Sequence, residues 1–301
     1  MITLGGVSKH FGTVTAAYDI TLQITTGEIF GLVGPDGAGK TSLLRIILGI
    51  LEPSGGTVHI LGSKGAEAVK GRLGYVPQKF SLYGDLTVME NIRIIGSLYG
   101  ANRQQVEQRG REILDFTHLL PFADRLADNL SGGMRQKLAL AAGLMHRPEV
   151  FFLDEPTTGV DPVSRREFWQ MLYRLNKDGM TIVVTTPYMD EAELCTRVAF
   201  MNQGRIVACD TPAVLKKQYP FQILELTVSG ANMKDLLKDC PIIDMNPFGD
   251  RYHLVVAEAM TAQAAVEKAL LQAGVGSYTL RLVSPGLEDV FVHLADEGGD
   301  R

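Results

Sequence analysis

An α/β fold with a mainly parallel sheet, followed by a small α+β domain, is what this sequence predicts, and three observations lead there. Short apolar runs, GEIFGLVG at 27–34, VFFLDE at 150–155 and TIVVTT at 181–186, alternate with stretches of helical periodicity, as βαβ units do. The first 30 residues instead alternate apolar and polar side chains between glycines, which reads as antiparallel strands. Beyond about residue 222 the order changes: ILELTV, YHLVVA and YTLRLV read as strands, and ANMKDLLKDC, TAQAAVEKALLQAG and GLEDVFVHL as helices.

Taken in order, GEIFGLVG is nearly uncharged after its glutamate, as a buried strand requires. KTSLLRIILGIL follows as a helix and TVHILG as another strand. From Asp85 to about Leu120, LTVMENIRIIGSLYG and QQVEQRGREILDFTHLL carry apolar residues three or four apart, which predicts helices. TPAVLKKQYPFQ reads as a last helix running into a Pro-containing linker. The division expected from this is a first domain over 1–220 and a second over 221–301.

Composition narrows the function. The chain has 301 residues, 46% hydrophobic and 21% charged, an ordinary globular balance. Its net charge of -5 and the absence of a basic block argue against a nucleic-acid partner. Cys195, Cys209 and Cys240 form no CxxC pair, so neither a disulfide framework nor a zinc site is expected, and a reducing cytosol fits. MITLGGVSKHFG lacks the apolar run of a signal peptide, and runs such as LALAAGLM fall short of the about 18 residues that span a bilayer. A role at a membrane would therefore need a membrane-spanning part from another chain.

Three motifs carry chemistry. Gly34, Pro35, Asp36, Gly37, Ala38, Gly39, Lys40 and Thr41 fit the P-loop pattern and stand between an expected strand and an expected helix. Glycines let backbone N–H groups wrap phosphates, the helix start favours an anion, Lys40 reaches the β and γ phosphates, and Thr41, followed by Ser42, offers a hydroxyl to magnesium. Next, Asp154 and Glu155 end an apolar strand. Asp154 is expected beside the P-loop in a parallel sheet as a magnesium ligand, and Glu155 as the catalytic group that orients or polarises the attacking water. Alone, such a run is also what a strand meeting a solvated turn looks like. Third, Ser131, Gly132, Gly133 and Met134 in LSGGMRQ open a helical run. Small residues at a helix start make an anion site, and equally an ordinary serine cap.

LSGGMRQ together with a downstream VFFLDEP resembles the ATP-binding cassette family, over about residues 2–220. The resemblance implies a P-loop NTPase fold: a mixed sheet core, an antiparallel β subdomain and a helical subdomain over about 85–147. It implies ATP and Mg2+ as cofactors, and a second cassette, identical or different, whose signature Ser131 to Met134 would cap the γ-phosphate on this chain's P-loop. Gln78 in GYVPQKF matches the Q-loop, which senses magnesium and γ-phosphate; a surface polar residue is the alternative. Asp161 in TTGVDP matches the D-loop aspartate, or is a turn aspartate before Pro162. Phe11 in KHFG takes the place of the adenine-stacking aromatic, or is a core residue.

One position departs from the family. YMDEAE is intact at 188–193, so Pro187 stands where the family's switch histidine is expected, and proline offers neither imidazole nor N–H. GPDGAGKT, YMDEAE and the closing SPGLEDVFVHL resemble the bacterial drug-export branch, of daunorubicin-resistance and YbhF type. The same tail also reads as an amphipathic terminal helix. The resemblance thus implies a cytoplasmic ATPase subunit, peripheral at the inner face of the membrane through a separate permease. The second domain contains none of the phosphate-handling motifs and is expected to regulate or support the cassette dimer. Rival readings are a degenerate cassette that binds ATP without much hydrolysis, and a soluble cassette of translation or DNA repair; the latter would carry two cassettes or a long coiled-coil insertion, and neither is present.

Overall fold

The structure is a computed structural model that describes residues 1–100, 102–228 and 233–299. The backbone gathers into two compact units, Met1–Pro212 and Ala213–Arg301. The boundary expected at about 220 falls just past the helix read in TPAVLKKQYPFQ, which the structure places at Pro212–Gln218.

The first unit begins with β1 (Ile2–Phe11), β2 (Val14–Ile24), β3 (Ile29–Val33), α1 (Lys40–Ile47), β4 (Gly55–Ile60), β5 (Ser63–Lys64) and β6 (Leu73–Val76). It continues through α2 (Val88–Leu98), α3 (Arg103–Phe116), α4 (Gly132–Leu144), β7 (Val150–Asp154) and α5 (Pro162–Lys177). β8 (Thr181–Thr186), α6 (Met189–Ala192), β9 (Arg197–Asn202) and β10 (Arg205–Asp210) complete it. One sheet is antiparallel, in the order β2-β1-β4-β5. The other is mixed, in the order β10-β9-β3-β8-β7-β6, with only β10 antiparallel to its neighbour.

Every residue of β3, β7 and β8 is buried, which is why these runs lack the in-out alternation of a one-sided sheet. Phe151 and Phe152 are both fully buried and point to opposite faces of β7; burial of each contributes about 1.5–3 kcal/mol. Asp154 ends β7, which is separated from β3 by β8. Thr41, in the first turn of α1, reaches across to bond Asp154.

The helices start where side chains can satisfy their first N–H groups. α2 and α3 open with capping boxes, Thr87 with Glu90 and Asn102 with Gln105. α4 opens on Ser131, and α5 on Asp161 followed by Pro162. α2, α3 and α4 share a core of Val88, Ile92, Val106, Leu114, Leu138 and Met145. α5 turns Phe168, Trp169, Met171 and Leu172 inward.

The second unit comprises α7 (Pro212–Gln218), β11 (Gln222–Val228), α8 (Met233–Leu236), β12 (Asp244–Phe248), β13 (Arg251–Val256), α9 (Ala259–Gln272), β14 (Tyr278–Val283) and α10 (Leu287–Gly299). Its antiparallel sheet runs β12-β13-β11-β14. Leu224, Leu226, Leu254 and Val256 pack with Ala262, Val266 and Leu270 of α9. Of the helix read in ANMKDLLKDC, only the single turn of α8 forms, and Ala231 and Asn232 lie outside the described residues.

Glu225 sits between His253 and Arg281 in the strand register. It accepts from Arg251 at 3.0 Å and Arg281 at 2.7 Å. The Arg251 hydrogen bond, followed by that of Arg281, holds its carboxyl below the usual carboxylate range. His253 is buried and bonds Asp289 Oδ1 of α10 through Nδ1 at 2.9 Å. That bond, helped by the charges of Asp289, Glu225 and Glu288 and opposed by burial, raises its pKa above the ordinary imidazole value. A raised folded pKa gives stability that is present at low pH and lost as pH rises through it. The melting-temperature advantage of wild type over His253→Gln is therefore expected to shrink as pH rises from below the ordinary imidazole value to well above it. His146, whose pKa burial lowers, gives the opposite slope in both proteins and cancels in the difference. A pH-independent difference in thermal melts would show that His253 is not charged in the folded chain.

Candidate functional site

β3 leads directly into residues 34–41. Gly34 N–H donates to the Thr186 carbonyl at 3.3 Å, which fixes the start of the loop on the end of β8. A Cβ on Gly34 would lie 2.0 Å from the Met201 carbonyl oxygen, and one on Gly39, where φ is +105°, would lie 2.1 Å from that of Ala16. Only glycine fits either place. Gly39 precedes α1 without a side-chain cap, so the helix start keeps its N–H donors and positive dipole end for an anion.

Lys40 is almost wholly buried. Its ammonium donates to the Gly34 and Pro35 carbonyls at 2.7 and 3.0 Å and lies 3.2 Å from Glu155 Oε1. Pro35, Asp36 and Gly37 are exposed, whereas Ala38 is buried and its carbonyl accepts from Gly204 N–H at 2.9 Å. A cavity of about 190 Å3 is lined by Val14, Thr15 and Ala16 together with Gly37 to Ser42 and Glu155. A larger cavity, of about 610 Å3, lies at the other ends of β7 and β8, among Arg109, Phe116, Arg147, Pro148 and Met180, and holds none of the phosphate-handling motifs.

The two carboxylates meet this loop from β7. Asp154 Oδ1 accepts from Thr41 Oγ1 at 3.0 Å and from Thr185 Oγ1 at 2.8 Å. Its other oxygen, Oδ2, is buried with no hydrogen-bond partner. A buried anionic oxygen without a donor is unusual, and a divalent cation is a natural partner for it. Thr41 and Asp154 thus fit a magnesium site of the kind that takes one protein carboxylate and leaves other positions to water and phosphate. Among the described residues no cluster of three His, Cys, Asp or Glu offers a rival metal cage.

Glu155 is buried, and its backbone is left-handed at φ +48°, a conformation that costs an L-residue of order 1 kcal/mol or more. Its Oε2 accepts from Gln78 Nε2 at 2.8 Å. Gln78 therefore contacts the candidate water-orienting carboxylate. Lys40, Gln78 and the adjacent pair Asp154 and Glu155 thus come together from three different segments of the chain.

Ser131, Gly132, Gly133 and Met134 form the start of α4, where Ser131 Oγ accepts from Met134 N–H at 3.3 Å. Ser131 and Gly132 are exposed, and among the described residues no hydrogen bond or ion pair ties the four to the P-loop. A Cβ on Gly133 would lie 2.6 Å from the Ser164 side chain, so this helix start abuts that of α5. Asp161 caps α5, accepting from Val163 and Ser164 N–H groups at 3.1 and 2.9 Å. The Ser164 bonds, first among several, hold its carboxyl below the usual range. Phe11 is 48% exposed and pairs across the hairpin with Val14, so it is not a core residue.

The sequence profile of the ABC transporter family matches residues 17–158. The chain is 38% identical, over 304 residues, to the "Probable multidrug ABC transporter ATP-binding protein YbhF" of Escherichia coli, covering 99% of this chain and 53% of that protein; it spans about half the length of that relative. It is 33% identical to the "Daunorubicin resistance ATP-binding protein DrrA3" of Streptomyces coeruleorubidus over 307 residues, with 100% of this chain and 96% of that protein covered. The chain belongs to the ATP-binding cassette family. The dimeric post-hydrolysis state of the ATP-binding cassette MJ0796, bound to ADP and Pi, superposes with a TM-score of 0.65 at 28% identity, over 70% of this chain and 98% of that one.

Within this cassette, Pro187 follows the last residue of β8, and YMDEAE turns into α6 directly after it. The polar groups around Pro187 are engaged elsewhere. Thr186 Oγ1 donates to Glu191 Oε2 at 2.6 Å and accepts from Tyr188 N–H at 3.1 Å. Thr157 Oγ1 also donates to Glu191, which is 1% exposed. The Arg165 guanidinium lies 3.5 Å from the same carboxylate and over the Tyr188 ring. Tyr188, Glu191 and Thr157 lie inside YMDEAE and TTGVDP, which do not announce this cluster, and Arg165, Thr185, Thr186 and the cavity wall of Val14 to Ala16 lie outside every motif. Thr185 and Thr186 look like ordinary β-branched strand residues, Glu191 like one of several solvated acids, and Val14 to Ala16 like the turn of a hairpin.

Proposed function

We propose that this cassette is the ATP-binding and ATP-hydrolysing subunit of a transporter, which energises a separate integral-membrane permease and serves the export of a drug or other hydrophobic compound. The observation that carries the catalytic part is the unpartnered, buried Asp154 Oδ2 beside Thr41, with Lys40 and Glu155 in contact next to it. The loop N–H groups and Lys40 hold the phosphates. Thr41 and Asp154 would hold magnesium, which would supply positive charge to offset that of the phosphates. Glu155 orients the attacking water and accepts its proton as the oxygen bonds to the γ-phosphorus and the bond to the leaving ADP breaks, with Gln78 keeping that carboxylate in place. The export role is supported by the names of the relatives.

Ser131 to Met134 lie apart from the P-loop of their own chain, which supports completion of the site by a second cassette, as does the dimeric state of the MJ0796 structure. Among the described residues no helix is long and apolar enough to cross a membrane, which agrees with a subunit held at the inner face of the cell membrane by its permease. The unit beyond residue 212, with its own core and no phosphate-handling motif, regulates or supports the cassette dimer.

A second reading, a cassette that binds ATP and hydrolyses it slowly, is favoured by one observation. Both threonine hydroxyls just before Pro187 have their protons committed, Thr185 to Asp154 and Thr186 to Glu191. Neither threonine is left to do what an imidazole would do. Steady-state hydrolysis by Pro187→His at saturating Mg-ATP decides between the two. A rise of roughly tenfold or more over wild type is expected, on the scale of one positioned polar group. Brisk wild-type turnover that histidine does not improve would remove the second reading. Failure of the wild type to bind ATP at all would overturn the first.

A further inference from the structure

Thr185 stands one residue before the end of β8, between the P-loop strand and the strand that carries Asp154. Its side chain is fully buried, and its hydroxyl is used in both directions. It donates to Asp154 Oδ1 at 2.8 Å and accepts from Glu155 N–H at 2.9 Å. No other hydroxyl among the described residues bonds to both of these acids.

Two consequences follow from the geometry. Asp154 Oδ1 receives two O–H donors, from Thr41 and Thr185. That fixes the carboxylate plane and makes Oδ2 the oxygen with uncommitted lone pairs. At Glu155, the N–H is shared between the Thr185 hydroxyl and the Thr185 carbonyl, the latter at 3.1 Å. This double anchor sits on the peptide that opens the left-handed turn at φ +48°. One hydroxyl therefore bears on the orientation of both acids.

We propose that Thr185 is a positioning residue for metal-dependent ATP hydrolysis, its hydroxyl turning Asp154 Oδ2 toward a divalent cation and holding Glu155 beside Lys40 and Gln78. The inference rests on the ATPase reading given above. Groups that orient a metal-binding carboxylate are worth about 10- to 100-fold in metal affinity or activity. Thr186 cannot share the role, because its hydroxyl lies between Glu191 and the Tyr188 N–H.

The alternative is that Thr185 only fills space as a β-branched strand residue. Valine keeps that shape and leaves the Glu155 N–H bonded to the residue 185 carbonyl, so Thr185→Val tests the hydroxyl alone. Serine keeps the hydroxyl and gives up the methyl group. The full-length chain and both variants would be titrated with the trinitrophenyl analogue of ATP, first in EDTA and then with rising Mg2+, and their kcat and KM measured at saturating Mg2+.

Thr185→Val is expected to bind the analogue in EDTA as wild type does, because the loop and Lys40 are untouched. The Mg2+ concentration at which metal changes that binding should rise by about 10- to 100-fold, and kcat should fall on the same scale with little change in KM. Thr185→Ser should restore the metal midpoint. A valine variant with wild-type metal midpoint and kcat would overturn the inference. So would a loss shared by both variants that tracks a lowered melting temperature, since packing would then be the cause. Failure of the wild type to bind the analogue under any condition would instead overturn the ATPase reading, and this inference with it.

Discussion

Lys40→Ala is expected to weaken ATP binding by roughly 100-fold or more, since charge-assisted hydrogen bonds are worth about 1.5–3 kcal/mol each and the ammonium can make several to phosphate. The side chain is 3% exposed and pinned by two loop carbonyls and Glu155. Its charge is therefore fixed in place before any ligand arrives, and little ordering entropy opposes its use. The variant also takes away the partner of a buried carboxylate, which is costly in itself, although Gln78 still donates to Glu155. A melting curve recorded beside the titration separates the two effects. A folded Lys40→Ala protein that binds a fluorescent ATP analogue like wild type would mean that the loop is not the site.

Glu155→Gln is expected to leave ATP binding within a few-fold of wild type and to lower hydrolysis by about 10²- to 10³-fold, the usual scale for removing one group that acts on the reacting atoms. Glutamine keeps the length of the side chain and can still accept from Gln78. It has no negative charge with which to draw a proton from water. Because Pro187 makes the wild-type rate low in one of the readings above, the comparison is best made in the Pro187→His background as well. Equal single-turnover rates with and without the charge, at saturating Mg-ATP, would remove Glu155 from the reaction and leave it a structural partner of Lys40.

The strand, glycine turn and helix around Lys40 were legible because each leaves a local mark: an uncharged apolar run, glycines at fixed offsets, then helical periodicity. The strand ending in Asp154 and Glu155 was legible for the same reason. What local pattern could not give was strand order. β9 and β10 carry no motif, β6 shares only the first residues of GYVPQKF, and nothing in TIVVTT says that this strand is inserted between the other two. β12 was missed because Pro247 lies within it, and proline is tolerated there because β12 is an edge strand. Glu191 shows the limit most sharply. In YMDEAE it is one acid among three, yet it is 1% exposed and accepts from Thr157 and Thr186. Burial of a single polar side chain is a property of the assembled fold, and no residue type or spacing announces it.

The chain has a single tryptophan, Trp169 on the inner face of α5, 2% exposed and with its indole N–H unbonded. Its fluorescence is consequently a one-sided witness. An indole shielded from water and lacking a hydrogen-bond partner emits toward the blue and shifts red when its surroundings open, so tryptophan emission follows the melting of residues 1–212 and carries no direct signal from the unit beyond them. That later unit has tyrosines, among them Tyr219, Tyr252 and Tyr278, but no indole. Intrinsic fluorescence and far-ultraviolet circular dichroism therefore weigh the two parts of this chain differently, and a gap between their transitions reads out directly whether the parts unfold together.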